Sequence, residues 1–155
     1  YVDHREFTST DSVREVWSRV ESIGGKNVYS TATWAWELRG LMDLVVGGVG
    51  LRRGRRDPKT LMEGEALDFW RVEKIERQHL LRLRAEMKMP GLAWLEFEVS
   101  ELDDGKTLLV QKAYYHPHGL AGHAYWWLVS FMHGIVLPSM AKKISGGKSR
   151  KIVTS

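Results

Sequence analysis

Two stretches of this chain gather side chains capable of chemistry. The first is Gly47-Gly48-Val49-Gly50-Leu51-Arg52-Arg53-Gly54-Arg55-Arg56, in which glycine backbone stands beside four guanidiniums. Free N–H groups and forked arginines both suit phosphate or carboxylate. The run nevertheless follows an apolar helical stripe instead of opening a helix. It also lacks the Lys-Ser/Thr ending of a phosphate loop and the GxGxxG spacing of a dinucleotide site. Arg52, Arg53, Arg55 and Arg56 are therefore expected to dock an anion or a neighbouring domain, or to remain in a solvated loop. The second stretch is His116-Pro117-His118, with His123 five positions beyond His118. Imidazoles can move protons near neutral pH, so His116 and His118 are the candidate acid/base pair, against the simpler use as turn or capping residues. No HExxH frame accompanies them and no metal site is expected. With no cysteine in the chain, thiolate ligands, disulfides and a cysteine nucleophile are excluded.

The elements that must position these groups show in the periodicity. Residues 2–9 are compatible with an edge strand, and Thr10 or Asp11 offers an N-cap oxygen for a helix carrying Val13, Val16, Trp17 and Val20 up to Gly24-Gly25. Trp34, Leu38, Leu41, Met42 and Val45 form the stripe of a second helix over 33–46, stopped by Gly47 and Gly48. Four strand-like stretches follow: Glu65 to Arg77, His79 to Met89, Leu92 to Leu102 and Lys106 to His116. Leu81, Leu83, Ala85, Leu95, Phe97 and Val99 alternate with Arg82, Arg84, Glu86, Glu96 and Glu98, the period of a half-buried sheet. A three-residue turn at Met89-Pro90-Gly91 would set Arg84 opposite Glu96 and Arg82 opposite Glu98, with the charges facing water. The stretch from Glu65 breaks the alternation. As one strand it puts Asp68, Trp70 and Val72 on one face and Leu67, Phe69, Arg71 and Glu73 on the other, so a polar group points inward either way. Such a group calls for a partner, water or ligand. A long helix from Gly119 towards Ile144 closes the chain, apolar on nearly every face from Tyr125 to Val136 and interrupted by Pro138.

A chain of 155 residues suits one domain, placed here at residues 1–145, with a flexible basic tail at 146–155. The net charge of +4 is concentrated in the arginine run and that tail. Neither basic cluster interleaves with aromatics, so no nucleic acid is expected. His123, Ser130, His133 and Pro138 interrupt the apolar helix, which argues against a membrane span. The start is not signal-like, which points to a cytoplasmic protein.

The motifs Leu38-Arg39-Gly40-Leu41-Met42-Asp43, the Gly/Arg run, Leu67-Asp68-Phe69-Trp70-Arg71-Val72, Glu86-Met87-Lys88-Met89-Pro90-Gly91 and Gly119-Leu120-Ala121-Gly122-His123-Ala124-Tyr125-Trp126-Trp127 resemble a bacterial domain family of unknown function. That family often follows an NAD(P)-binding domain of the NmrA or epimerase type. The resemblance implies an α+β helix-grip fold of the START/SRPBCC, polyketide-cyclase-like superfamily: a curved antiparallel sheet of six or seven strands around a long C-terminal helix, with two smaller helices after the first strand. It implies no catalytic residues and no cofactor in this domain, NAD(P) belonging to an attached upstream domain.

Fold analogy does not assign chemistry, and three functions are open. In the first, Trp70, Trp94, Tyr114 and Trp127 wall a cavity for a small apolar or amphipathic molecule, with Asp68, Arg71 and Glu86 orienting it. In the second, a cyclase, hydratase or dehydratase uses His116 or His118 with a pocket carboxylate. In the third, the Gly/Arg loop and the apolar helix dock on a dehydrogenase-like domain.

Overall fold

The computed structural model describes residues 1–23, 60–67, 70–146 and 151–152. Arg52, Arg53, Arg55, Arg56 and Asp68, and the helix expected over 33–46, lie outside these. Seven strands are present among the described residues: β1 Val2–Ser9, β2 Ala66–Leu67, β3 Trp70–Glu76, β4 Leu80–Ala85, β5 Gly91–Glu101, β6 Thr107–Pro117 and β7 Lys151–Ile152. They form one antiparallel sheet in the order β2-β3-β4-β5-β6-β1-β7. Two helices accompany them, α1 Val13–Glu21 and α2 Gly119–Ile144. Within the stretch expected to be a tail, Lys151 and Ile152 pair with Phe7 and Glu6.

The inner face of the sheet carries the core. Leu81, Leu83, Leu95, Phe97, Val99 and Leu109 are buried there with Phe7, the α1 residues Val16, Trp17 and Val20, and the α2 residues Leu137, Met140, Ala141 and Ile144. Each large apolar side chain so buried contributes roughly 1.5–3 kcal/mol. Ser12 caps α1, not Thr10 or Asp11: its hydroxyl accepts from Glu15 N while Glu15 accepts from Ser12 N, a reciprocal capping box. Asp11 is engaged elsewhere, accepting from Arg19 Nη1 at 2.7 Å.

Both ends of α2 are fastened. At its C-terminus Arg19 Nη1 donates to Ile144 O at 3.1 Å and Ser9 Oγ donates to Ser145 O at 2.7 Å. A cation at that end also suits the helix dipole. At its N-terminus Gly122 packs so closely that a Cβ there would stand 2.5 Å from Pro90 O and 2.8 Å from Pro117 Cβ. Tyr115 Oη donates to Pro90 O and Gly122 O across the same joint.

Two sequence expectations need correction. The stretch from Glu65 to Arg77 is not one strand: Leu67 pairs with Trp70 and Ala66 with Arg71, so the chain doubles back. Doubling back buries both Leu67 and Trp70, which a single pleated strand would send to opposite faces. Trp70 and Val72 are buried and Arg71 and Glu73 lie on the other face, so the expected inward polar group is not found on β3. The β4–β5 register is also displaced by two residues. Arg82 pairs with Glu96, Leu81 with Phe97 and Leu83 with Leu95. The reason lies in the connection: Glu86 is held by Arg71 from β3 and Met87 packs against the core, so residues 86–90 leave the ladder. A two-residue slip preserves the faces, and the apolar positions remain inward.

Candidate functional site

The residues expected to wall a cavity do not share one face. Trp70 belongs to the core on the inner face. Trp94 and Tyr114 are register partners on the opposite face, where Trp94 Nε1 donates to Glu73 Oε1 at 3.3 Å. Arg71 also faces outward and makes a two-pronged ion pair with Glu86, Nε to Oε1 at 2.8 Å and Nη2 to Oε2 at 3.1 Å. Its guanidinium pKa is raised, first by that hydrogen bond. Trp127 projects from α2 at 82% exposure. His116 and His118 are exposed at the β6–α2 junction with ring centres 5.9 Å apart. Among the described residues no cluster of three or more His, Cys, Asp or Glu is arranged to hold a metal, and no helix is long and apolar enough to cross a membrane.

A different set of residues converges on the inner face. Tyr1, just before β1, and Asp3 and Arg5 within it share parity with buried Phe7 and lie opposite Tyr115, Ala113 and Gln111. Exposure rises along this line from Phe7 (4%) through the side chains of Arg5 (11%) and Asp3 (25%) to Tyr1 (51%). Arg5 Nε donates to Asp3 Oδ1 at 2.9 Å and Nη2 to Asp3 Oδ2 at 2.6 Å. Beside them Gln111 is 1% exposed, its Nε2 donating weakly to Met140 Sδ at 3.9 Å while its Oε1 has no hydrogen-bond partner. At the Tyr1 end Trp126 stacks on both Tyr1 and Tyr115, with centroids 4.9 and 5.3 Å away. Tyr1 Oη also bonds to His123 Nδ1 at 3.0 Å. An aromatic stack at one end of this line is thus followed by a neutral ion pair and an amide with a spare acceptor. The sequence reading missed this set because β1 is polar on both faces. Parity with Phe7 was the signal that could have found it.

The outer face carries a charge ladder. Arg82 Nε lies 3.3 Å from Glu73 and 3.5 Å from Glu96, close as charges but not aligned as hydrogen bonds. Lys112 Nζ donates to Glu98 Oε1 at 2.6 Å. Burial, and then a hydrogen bond with Glu98, holds the Glu96 carboxyl above the usual range. The Lys112 hydrogen bond holds Glu98 below it.

The comparisons bear on this geometry. The family described as Protein of unknown function (DUF2867) matches residues 1–140. The chain belongs to that family. Among solved structures this DUF2867 domain is similar to CalU16 from Micromonospora echinospora, at 15% identity over 94% of this chain and 74% of that one, with a TM-score of 0.53. It is likewise similar to a truncated norcoclaurine synthase from Thalictrum flavum, at 17% identity over 94% and 91% of the two chains, TM-score 0.53. DynU16, a protein of the dynemicin biosynthetic locus, gives 15% identity and a TM-score of 0.52, this chain covering 95% of itself but only 48% of that one. No curated protein matches the sequence. At these identities the likeness shows the fold alone, and it supports the helix-grip architecture implied by the motifs.

Proposed function

We propose that the domain binds a small, largely apolar molecule between the inner face of the sheet and α2, admitted at the Tyr1–Trp126 end. The observation that carries this reading is the mostly buried Asp3–Arg5 pair beside the unpartnered Gln111 Oε1. Polar groups are retained inside a fold when they are satisfied or serve a guest. The ligand-enclosing character of the helix-grip fold agrees. Trp126, Tyr1 and Tyr115 take the place of Trp94, Tyr114 and Trp127 as walls, and Asp3, Arg5 and Gln111 that of Arg71 and Glu86 as orienting groups. An accessory role beside an NAD(P)-binding dehydrogenase- or epimerase-like domain rests on the family resemblance.

A cyclase, hydratase or dehydratase activity in the same space has one observation in its favour, the hydrogen bond between Tyr1 Oη and His123 Nδ1 at the proposed mouth, which could relay a proton. Native and denaturing mass spectra of the purified chain test the binding reading. A co-purifying small molecule that is lost from Trp126→Ala, with the variant still folded, is the expected result. A guest retained at full occupancy in Trp126→Ala would overturn this placement of the mouth.

A further inference from the structure

Arg5 and Gln111 are register partners across β1 and β6, and cross-strand neighbours on one face stand about 5 Å apart at Cβ. Asp3 takes the Nε and Nη2 hydrogens of Arg5, which leaves Nη1 with no hydrogen bond among the described residues. Gln111 faces Met140 Sδ through Nε2. A thioether accepts a hydrogen but donates none, so the amide has one orientation and Oε1 is the end without a donor. A buried amide oxygen in that condition is costly. No hydrogen bond joins Arg5 to Gln111, so a donor and an acceptor carried by register partners are both unused.

We infer that this pair recognises a hydroxyl on the ligand, an alcohol, phenol or enol whose oxygen accepts from Arg5 Nη1 and whose hydrogen goes to Gln111 Oε1. A carboxylate fits worse for two reasons. Asp3 already neutralises Arg5, so a second anion meets no net positive charge. A carboxylate also has no hydrogen for Oε1 and would turn lone pairs towards another acceptor. An ammonium could give a hydrogen to Oε1 but has no lone pair with which to accept from Arg5 Nη1. Gln111 is 1% exposed, so a guest reaches Oε1 only as neighbouring side chains give way, and Met140, held against the same amide by a flexible thioether, is the neighbour best able to move. This assignment depends on the ligand space proposed above, and its test separates the two.

The test uses one apolar body with three heads: naphthalene, naphthol and naphthoate, each titrated calorimetrically into the 155-residue chain and into its Gln111→Met variant. Native protein is expected to bind naphthol about tenfold more tightly than the other two, the value of one good hydrogen bond. Gln111→Met should bind all three within about twofold of one another. Without ligand it should melt about 3 °C higher, because an unsatisfied amide has gone. A glutamine with a merely structural role would give a lower melting point and an unchanged preference, and that result overturns the inference. Tightest binding of naphthoate overturns it too. Binding without preference leaves the ligand space standing and the hydroxyl assignment refuted, whereas no binding of any probe refutes both. The native ranking is decisive alone should the variant fail to fold.

Discussion

At the scale of single residues, the Asp3–Arg5 pair is the charged group on the inner-face side of β1. Its side chains are 25% and 11% exposed, so neither charge is fully hydrated and each depends on the other. Removing one partner leaves the second charge partly buried and alone, whereas removing both removes the penalty. Asp3→Ala is expected to destabilise the fold by about 1–2 kcal/mol, and Asp3→Ala with Arg5→Met to recover most of that loss. Urea denaturation of the native protein, Asp3→Ala, Arg5→Met and the double variant measures the coupling; additive losses would mean that the pair is not coupled. The sequence did announce an inward polar group, but on the wrong strand. The broken alternation near Trp70 reflects a chain reversal, while Asp3 and Arg5 escaped notice because His4, Glu6 and Thr8 on the other face are polar as well.

At the scale of elements, two glycines of α2 make opposite demands. Gly122 sits where Pro90 and Pro117 press on the helix, and any Cβ there meets backbone. Gly134 has open space around it and stands four residues before Pro138. Gly134→Ala is therefore expected to stabilise by about 0.5–1 kcal/mol through helix propensity. Gly122→Ala should cost about 1–3 kcal/mol despite the same propensity gain, because overpacking forces the joint apart. Thermal melts of both variants check the signs, and near-ultraviolet circular dichroism should show disturbance of the Tyr1–Trp126–Tyr115 stack in Gly122→Ala only. The existence of α2 was legible from its apolar run. The need for a glycine at 122 was not, since the atoms that crowd it come from the β4–β5 connection and the end of β6.

At the scale of the whole molecule, the charge ladder across β3, β4, β5 and β6 links acidity to stability. Glu98, held below the usual glutamate value by Lys112, contributes stability above that value and loses it as pH falls through its folded pKa. Glu96, held above the usual value by burial and then by Glu98, contributes stability below that value and loses it as pH rises through its folded pKa. The two terms oppose one another around the usual value of about 4.3. Arg82 and Lys112 face Glu96, while Lys112 and His79 face Glu98. Lys112→Gln removes the cation that lowers Glu98 and leaves two carboxylates opposed, so both should titrate high. The expected outcome is a melting temperature that falls from about pH 4 to about pH 7 more steeply than in the native protein. An unchanged pH profile would show that Lys112 does not govern the pair.

Strand and helix identity over β4, β5, β6, α1 and α2 was set by the sequence itself, because periods of two and 3.6 are local properties of neighbouring side chains. Face assignment followed from the same pattern: Leu81, Leu83, Leu95, Phe97 and Val99 point inward as expected. Register, the reversal between Leu67 and Trp70, and the meeting of Asp3 and Arg5 with Gln111 were decided only in the tertiary structure. A two-residue slip leaves every face unchanged, so hydrophobic pattern cannot detect it. The pairing of β1 with β6 joins residues from opposite ends of the chain. Only that long-range pairing, with α2 laid across it, brings Tyr1, Asp3 and Arg5 beside Tyr115, Gln111 and Trp126.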